Sequence, residues 1–191
     1  MKAKEKIKLF TKIINFLEVI GIIFILLLAM LYQFWLNELP CPLCLIQRIG
    51  FFGLAIALLF NFKFGQRPSH YAIALLFSML ISFASLRQIV LHIVPGTGGY
   101  GSVIFGFHMY TWSFILSMFI NIVTICVLGL DRQYYSDELY RTKWRTIRNI
   151  LFLLIIILLI VNIVFVFKEC GLYFCPSDPT QYLVWTQGHS Q

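Results

Sequence analysis

Apolar residues fall into five long stretches, at about 13–36, 45–62, 71–94, 108–130 and 149–167, separated by short polar, basic or glycine-rich segments. Each stretch is long enough to cross the roughly 30 Å hydrocarbon layer of a bilayer as a helix. None alternates apolar and polar positions as a barrel strand does. A backbone in lipid must satisfy its own hydrogen bonds, so helices are the remaining choice. The pattern predicts an all-α membrane protein with five transmembrane helices. Pro95 to His108 joins the third and fourth stretches; it holds five glycines and no Lys, Arg, Asp or Glu, and its Val103-Ile104-Phe105 suits the membrane interface. The tail beyond Cys175, with Pro176, Pro179 and Gly188, reads as irregular and exposed.

Composition agrees. The 191 residues are 60% hydrophobic and 12% charged, with a mean hydropathy of +0.84, well outside the range of a soluble domain. A net charge of +7 would suggest nucleic acid in a soluble chain, but here the charges flank apolar spans and report topology. Lys2, Lys4, Lys6, Lys8 and Lys12 precede the first span. Lys63 and Arg67 follow the second, and Arg132, Arg141, Lys143, Arg145 and Arg148 precede the fifth. With five spans, all of these fall on one side, which the positive-inside rule assigns to the cytoplasm. Only Arg48, Arg87 and Lys168 lie toward the other side. The N-terminus is therefore expected in the cytoplasm and the C-terminus outside. The first apolar run is too long for a signal-peptide core and is expected to be a span.

The chemistry concentrates at Pro40-Cys41-Pro42-Leu43-Cys44-Leu45-Ile46-Gln47-Arg48, where the second span begins. Cys44 and Arg48 are four residues apart, one turn on the same helix face. The start of the helix aims unpaired N–H groups and the positive end of the dipole at the sulfurs, and with Arg48 this favours thiolate. On the same outer side the tail carries Cys170-Gly-Leu-Tyr-Phe-Cys175, so four of the five cysteines share a compartment where disulfides persist in bacteria. Two pairs within reach of one another can pass two electrons by thiol–disulfide exchange. Cys41, outermost, is expected to exchange with the second pair, and Cys44, one turn deeper, to face a membrane-soluble acceptor. Cys170 follows the fifth span by about three residues, roughly 10 Å of extended chain, so that helix must pack near the first two. The alternative for four outer cysteines is a metal-binding or metal-transport module with tetrahedral zinc. Cys126, alone on the fourth span, reads as a small buried hydrophobe.

Ionisable residues near the outer ends of spans add candidates. Arg48 and Arg87 are the cations. His92 and His108 are placed to donate a hydrogen bond to a carbonyl of an acceptor ring, and Tyr110 and Trp112 fit an aromatic belt.

With Cys41-Pro-Leu-Cys44-Leu-Ile-Gln47-Arg48 opening an outer-facing span, the chain resembles the bacterial disulfide bond formation protein B family, DsbB, over about residues 10 to 130. The resemblance implies a four-helix bundle, a ubiquinone or menaquinone acceptor, and a soluble DsbA-like thioredoxin-fold oxidase as electron donor. It implies that Cys44 contacts the quinone, with Arg48 stabilising the thiolate and orienting the ring. Some members place a histidine near the quinone; Gln88 and His92 both fall near its register, and His92 is taken as the cofactor residue. The family's second cysteine pair lies between its third and fourth spans, where this chain has none. Cys170 and Cys175, carried outside by the additional fifth helix, are expected to replace it. The organisation expected is a DsbB-like bundle over 1–130, a basic cytoplasmic loop at 131–148, the fifth span at 149–167 and a periplasmic tail at 168–191. The expected function is a bacterial inner-membrane protein-disulfide oxidoreductase that reoxidises a DsbA-like dithiol oxidase and passes the electrons to quinone. Cys41, Cys44, Cys170 and Cys175 are the expected catalytic residues, with no metal.

Overall fold

In the computed structural model, residues 2–94, 96, 98–134, 145–171, 175 and 182 are described. Five helices carry the fold: α1 (Lys2–Trp35), α2 (Pro42–Phe64), α3 (Pro68–Leu91), α4 (Met109–Leu128) and α5 (Arg145–Cys170). All five are long and apolar enough to cross a membrane. The helices mostly run past the apolar stretches that mark them. α1 takes in the lysine run, and α5 begins at Arg145 and ends on Cys170. α3 and α4 are the exceptions: α3 stops at Leu91, three residues short of its stretch, and α4 lies within the limits of its own.

α2 is the central helix, packed against α1, α3 and α5. Its start is fixed locally: Cys41 is the N-cap in extended conformation, its Sγ accepts from the Cys44 N–H at 3.1 Å, and Pro42 occupies the first turn, where its missing N–H costs nothing. Gly65, at φ 87°, closes the helix. The contact with α3 depends on two small residues. A Cβ on Gly50 would come within 2.5 Å of Ile81 Cγ1, and one on Gly53 would strike the Phe77 ring. Ile22 and Leu26 of α1, Leu54 and Leu58 of α2, Ile81 of α3 and Ile155 of α5 form the centre of the core. The fifth helix therefore packs near the first two, as a relay between the cysteine pairs requires.

The end of the bundle remote from the cysteines is cross-linked by polar side chains. Tyr71 Oη accepts from Asn15 Nδ2 at 2.8 Å and donates to Gln133 Oε1 at 3.1 Å, joining α1 and α3 to the turn after α4. At the cysteine end, the segment between α3 and α4 folds into a hairpin, β1 (Val103–Ile104) against β2 (Phe107–His108), in place of an irregular loop. Phe105 and Gly106 at its tip both have positive φ, the requirement of a tight two-residue turn with the twist of a hairpin. The segment is pinned down by Tyr100 Oη donating to the Leu39 carbonyl and by Ser102, whose N–H and hydroxyl both donate to the Glu38 carboxylate. Cys126 departs from expectation: it is exposed on the outside of α4 among Ile122 and Ile125, on a face suited to lipid.

Candidate redox site

Cys41 and Cys44 are free thiols at the head of α2, held by one side chain of α3. Gln88, 1% exposed, directs Nε2 at Cys41 Sγ (3.2 Å) and Cys44 Sγ (3.5 Å). Its other end is fixed by Gln47, whose Nε2 donates to Gln88 Oε1 at 2.8 Å. Gln47 thus keeps the Gln88 amide turned with its N–H groups toward sulfur. The arrangement follows from α3's face: Ser78, Ser82, Ser85 and Gln88 recur at helical spacing and are all buried, so the stripe that binds α3 into the bundle ends at the dithiol.

Relative exposure reverses the expected order of the two sulfurs. Cys41 is 6% exposed and Cys44 half-buried. As N-cap, Cys41 turns its sulfur back over the helix start and under Gln88, so preceding Cys44 in the chain does not make it the more accessible. The hydrogen bond shared with Cys44, together with burial, pushes the Cys41 thiol far above its usual range, making it the proton-bearing sulfur of the pair.

Arg48, 9% exposed, lies one turn below Cys44 on the same cavity wall. Its Nη1 donates to Gln33 Oε1 at 2.7 Å and Nη2 to the Ala29 carbonyl at 3.1 Å, both on α1. Two of its five N–H groups are so used. The cavity, about 80 Å³, is lined by Cys44, Gln47, Arg48, Gln88, Tyr100 and Tyr110 among others. That is several times the ~10–15 Å³ needed by one water. Ile25, Met109 and Ser113 belong both to this cavity and to an apolar groove of about 370 Å³ between α1, α4 and the hairpin, where Phe24, Leu28 and Leu116 also lie. A quinone has a planar ring with two carbonyl acceptors and an apolar tail. Cationic and amide N–H donors beside a reactive sulfur, opening onto an apolar trough, fit such a group.

The other sequence candidates fall around this site. His92 caps the end of α3, bonds through Nδ1 to the Gln88 carbonyl at 2.8 Å, and stacks on Tyr110 at 5.4 Å. His108 stacks on Tyr110 too, at 5.2 Å. The two histidines therefore border the cavity through Tyr110, while Gln88 reaches the sulfurs directly. Trp112 ties α4 to the hairpin through Nε1 to the Ile104 carbonyl at 2.9 Å, and Arg87 is exposed on the far face of α3. Gln47 and Gln33 carried no assignment from sequence. Gln47 stands inside the cysteine motif, which is the signal that pointed to it.

Cys170 and Cys175 are joined by a disulfide; Cys170 is 3% exposed and Cys175 half-buried. Tyr182 meets the same end of the bundle: its Oη accepts from Gln33 Nε2 at 3.3 Å, and Gln33 is the residue that holds Arg48. Phe165 of α5 meets Phe34 of α1 edge to face at 4.5 Å. Among the described residues, no three His, Cys, Asp or Glu side chains come together as a metal site.

A Gln88→Leu change removes the N–H donors at both sulfurs. A net loss of about 1–2 kcal/mol per hydrogen bond predicts roughly tenfold slower alkylation of Cys44 by iodoacetamide at neutral pH. An unchanged rate would leave the amide a packing role only.

Residues 11–98 match the family model described as Disulfide bond formation protein DsbB, a span that takes in most of α1, all of α2 and α3 and the start of the following loop. No curated protein and no solved structure matches the chain.

Proposed function

Since residues 11–98 carry DsbB-family sequence in a multi-pass helical membrane protein, we propose that the chain is a quinone-linked thiol oxidase that keeps a soluble DsbA-like dithiol oxidase in its disulfide form. The observation that carries this reading is the cavity in which Cys44, Arg48 and Gln88 meet at the mouth of an apolar groove. A bound ubiquinone or menaquinone would supply a two-electron, two-proton acceptor there.

The chain's own residues divide the work. Arg48 and the Gln47–Gln88 pair present N–H donors to a ring carbonyl and to sulfur. Cys44 is the sulfur on the cavity wall, and Cys41 retains its proton until it closes the disulfide. The Cys170–Cys175 disulfide receives electrons from the protein donor and hands them to Cys41–Cys44. This is supported by the packing of α5 on α2 and by the Tyr182–Gln33–Arg48 chain of hydrogen bonds. Of the two tail sulfurs, Cys175 is the more accessible and so the one an incoming thiolate attacks, releasing Cys170 toward the bundle. The lysine and arginine distribution supports the cysteine end facing the periplasm of a bacterial inner membrane.

The deciding experiment is quinone reduction by the detergent-purified chain, followed by ultraviolet absorbance, with a reduced thioredoxin-like donor and then with a small dithiol. Turnover with either is expected. A wild-type protein that reduces no quinone with both donors would remove the acceptor from this reading and send the same sample to metal analysis.

A further inference from the structure

Glu169 immediately precedes Cys170 on α5. It is 0% exposed, and neither carboxylate oxygen has a hydrogen-bond partner among the described residues. A buried, unbonded carboxylate is costly, so its presence at the reactive end of a membrane bundle calls for a function. Its electrostatic neighbours are Arg48 and Cys44. Arg48 in turn interacts electrostatically with Cys44, Glu169, Tyr182 and Cys41, while its hydrogen bonds go to the neutral Gln33 and Ala29. The carboxylate that does line the cavity, Glu38, is occupied by Ser102. Lys168, beside Glu169 in sequence, sets its Nζ 5.7 Å from the centre of the Phe165 ring.

One fixed cation thus interacts with two acids, Cys44 from α2 and the buried Glu169 from α5, the helix packed on α2. In a poorly hydrated site, charge is best balanced when one of the two is an anion: two leave a net negative charge, and none leaves Arg48 uncompensated. We propose that Glu169 is a redox-linked proton holder that acts on the dithiol through Arg48. This deepens the thiol-oxidase reading and rests on it for the acceptor.

With Cys41 and Cys44 joined as a disulfide, the Glu169 carboxylate balances Arg48. When a donor dithiol reduces the pair, the S–S bond breaks and the donor's two thiols become a disulfide, giving up two electrons and two protons. One proton goes to Cys41 and the other to Glu169, and the Cys44 thiolate takes over as counter-charge to Arg48. On reoxidation the Cys41–Cys44 bond reforms. Two electrons leave for an acceptor of the quinone class, accompanied by the proton of Cys41 and the proton of Glu169, and the carboxylate is restored. The site keeps the same charge throughout.

The test reads proton stoichiometry and needs no quinone. Full-length protein in detergent is equilibrated with dithiothreitol redox buffers between about pH 6 and pH 8, and the Cys41–Cys44 peptide is scored by alkylation trapping and mass spectrometry. Two protons per two electrons are expected for the wild type. Glu169→Gln should halve the slope of potential against pH, to one proton per two electrons, and Glu169→Asp should keep the full slope. Equal slopes in wild type and Glu169→Gln overturn the proposal, as does a halved slope in Glu169→Asp, which would assign the effect to packing. A one-proton slope in the wild type overturns it even if the glutamine variant fails to fold. Failure of the wild type to reduce quinone would sink the oxidase reading and leave this result standing on its own.

Discussion

On the proposed function, Cys44→Ser is expected to stop quinone reduction by every thiol donor, protein or small, lowering the rate by about three orders of magnitude or to the uncatalysed background, because among the described residues Cys44 is the sulfur on the cavity wall, placed to meet an acceptor held there. Serine nearly conserves volume and the N-cap geometry belongs to Cys41, so the variant should fold and retain the thermal unfolding profile of the wild type. Cys41→Ser should lose turnover equally, for a different reason. It leaves Cys44 facing the cavity but removes the partner with which the disulfide must close. The two variants separate on labelling by a small alkylating reagent, since only Cys41→Ser retains the half-buried Cys44 thiol on the cavity wall. Retained turnover in either would refute the assignment of the pair.

The second large effect belongs to the tail. A Cys170→Ser/Cys175→Ser double variant should lose at least about tenfold, and in the limiting case all, of its turnover with a thioredoxin-like donor, while its turnover with a small dithiol stays within about twofold of wild type. The contrast arises because a folded donor must exchange at a sulfur it can reach. Cys41 is shielded by Gln88, and Cys44 lies in a cavity walled on one side by Tyr100 and Gly101. A donor stripped of its resolving cysteine should accumulate as a mixed disulfide on Cys175 in the wild-type chain, detected by peptide mass. Accumulation on Cys44 in its place would make the tail bridge passive.

Much of this was legible in the sequence because the signals were local. The five spans announce themselves by uninterrupted apolar length, and the placing of Cys44 and Arg48 on one wall follows from four-residue spacing alone. The partners of those residues were not legible, since each comes from a distant part of the chain. Gln88 lies 44 residues beyond Cys44, and Gln33 lies 15 before Arg48. Gln88 and His92 differ by one helical turn, and the choice between them depends on where α3 stops. Termination at Leu91 leaves the glutamine inside the helix, facing sulfur, and the histidine as its cap. The burial of Cys41 was hidden for the same kind of reason: a cysteine serving as N-cap turns inward, which no count of chain positions conveys. Glu169 carries no local signal in the sequence; the packing of α5 on α2 is what buries it.

The length of α5 gives the reaction a vertical coordinate. Its apolar run, about 149–167, rises roughly 28 Å and so fills the hydrocarbon layer, which leaves Lys168, Glu169 and Cys170 less than one turn above it. The disulfide therefore lies at the level of the lipid headgroups, and on the proposed relay a soluble donor would have to come down to the membrane surface to meet it. Hydrophobic mismatch then acts on catalysis: a thicker bilayer draws the bridge toward the acyl boundary, and a thinner one raises it or tilts α5 away from α2. If the tail pair is the entry point, bilayer thickness is expected to set how fast a protein donor is oxidised while leaving oxidation of a small dithiol nearly unchanged.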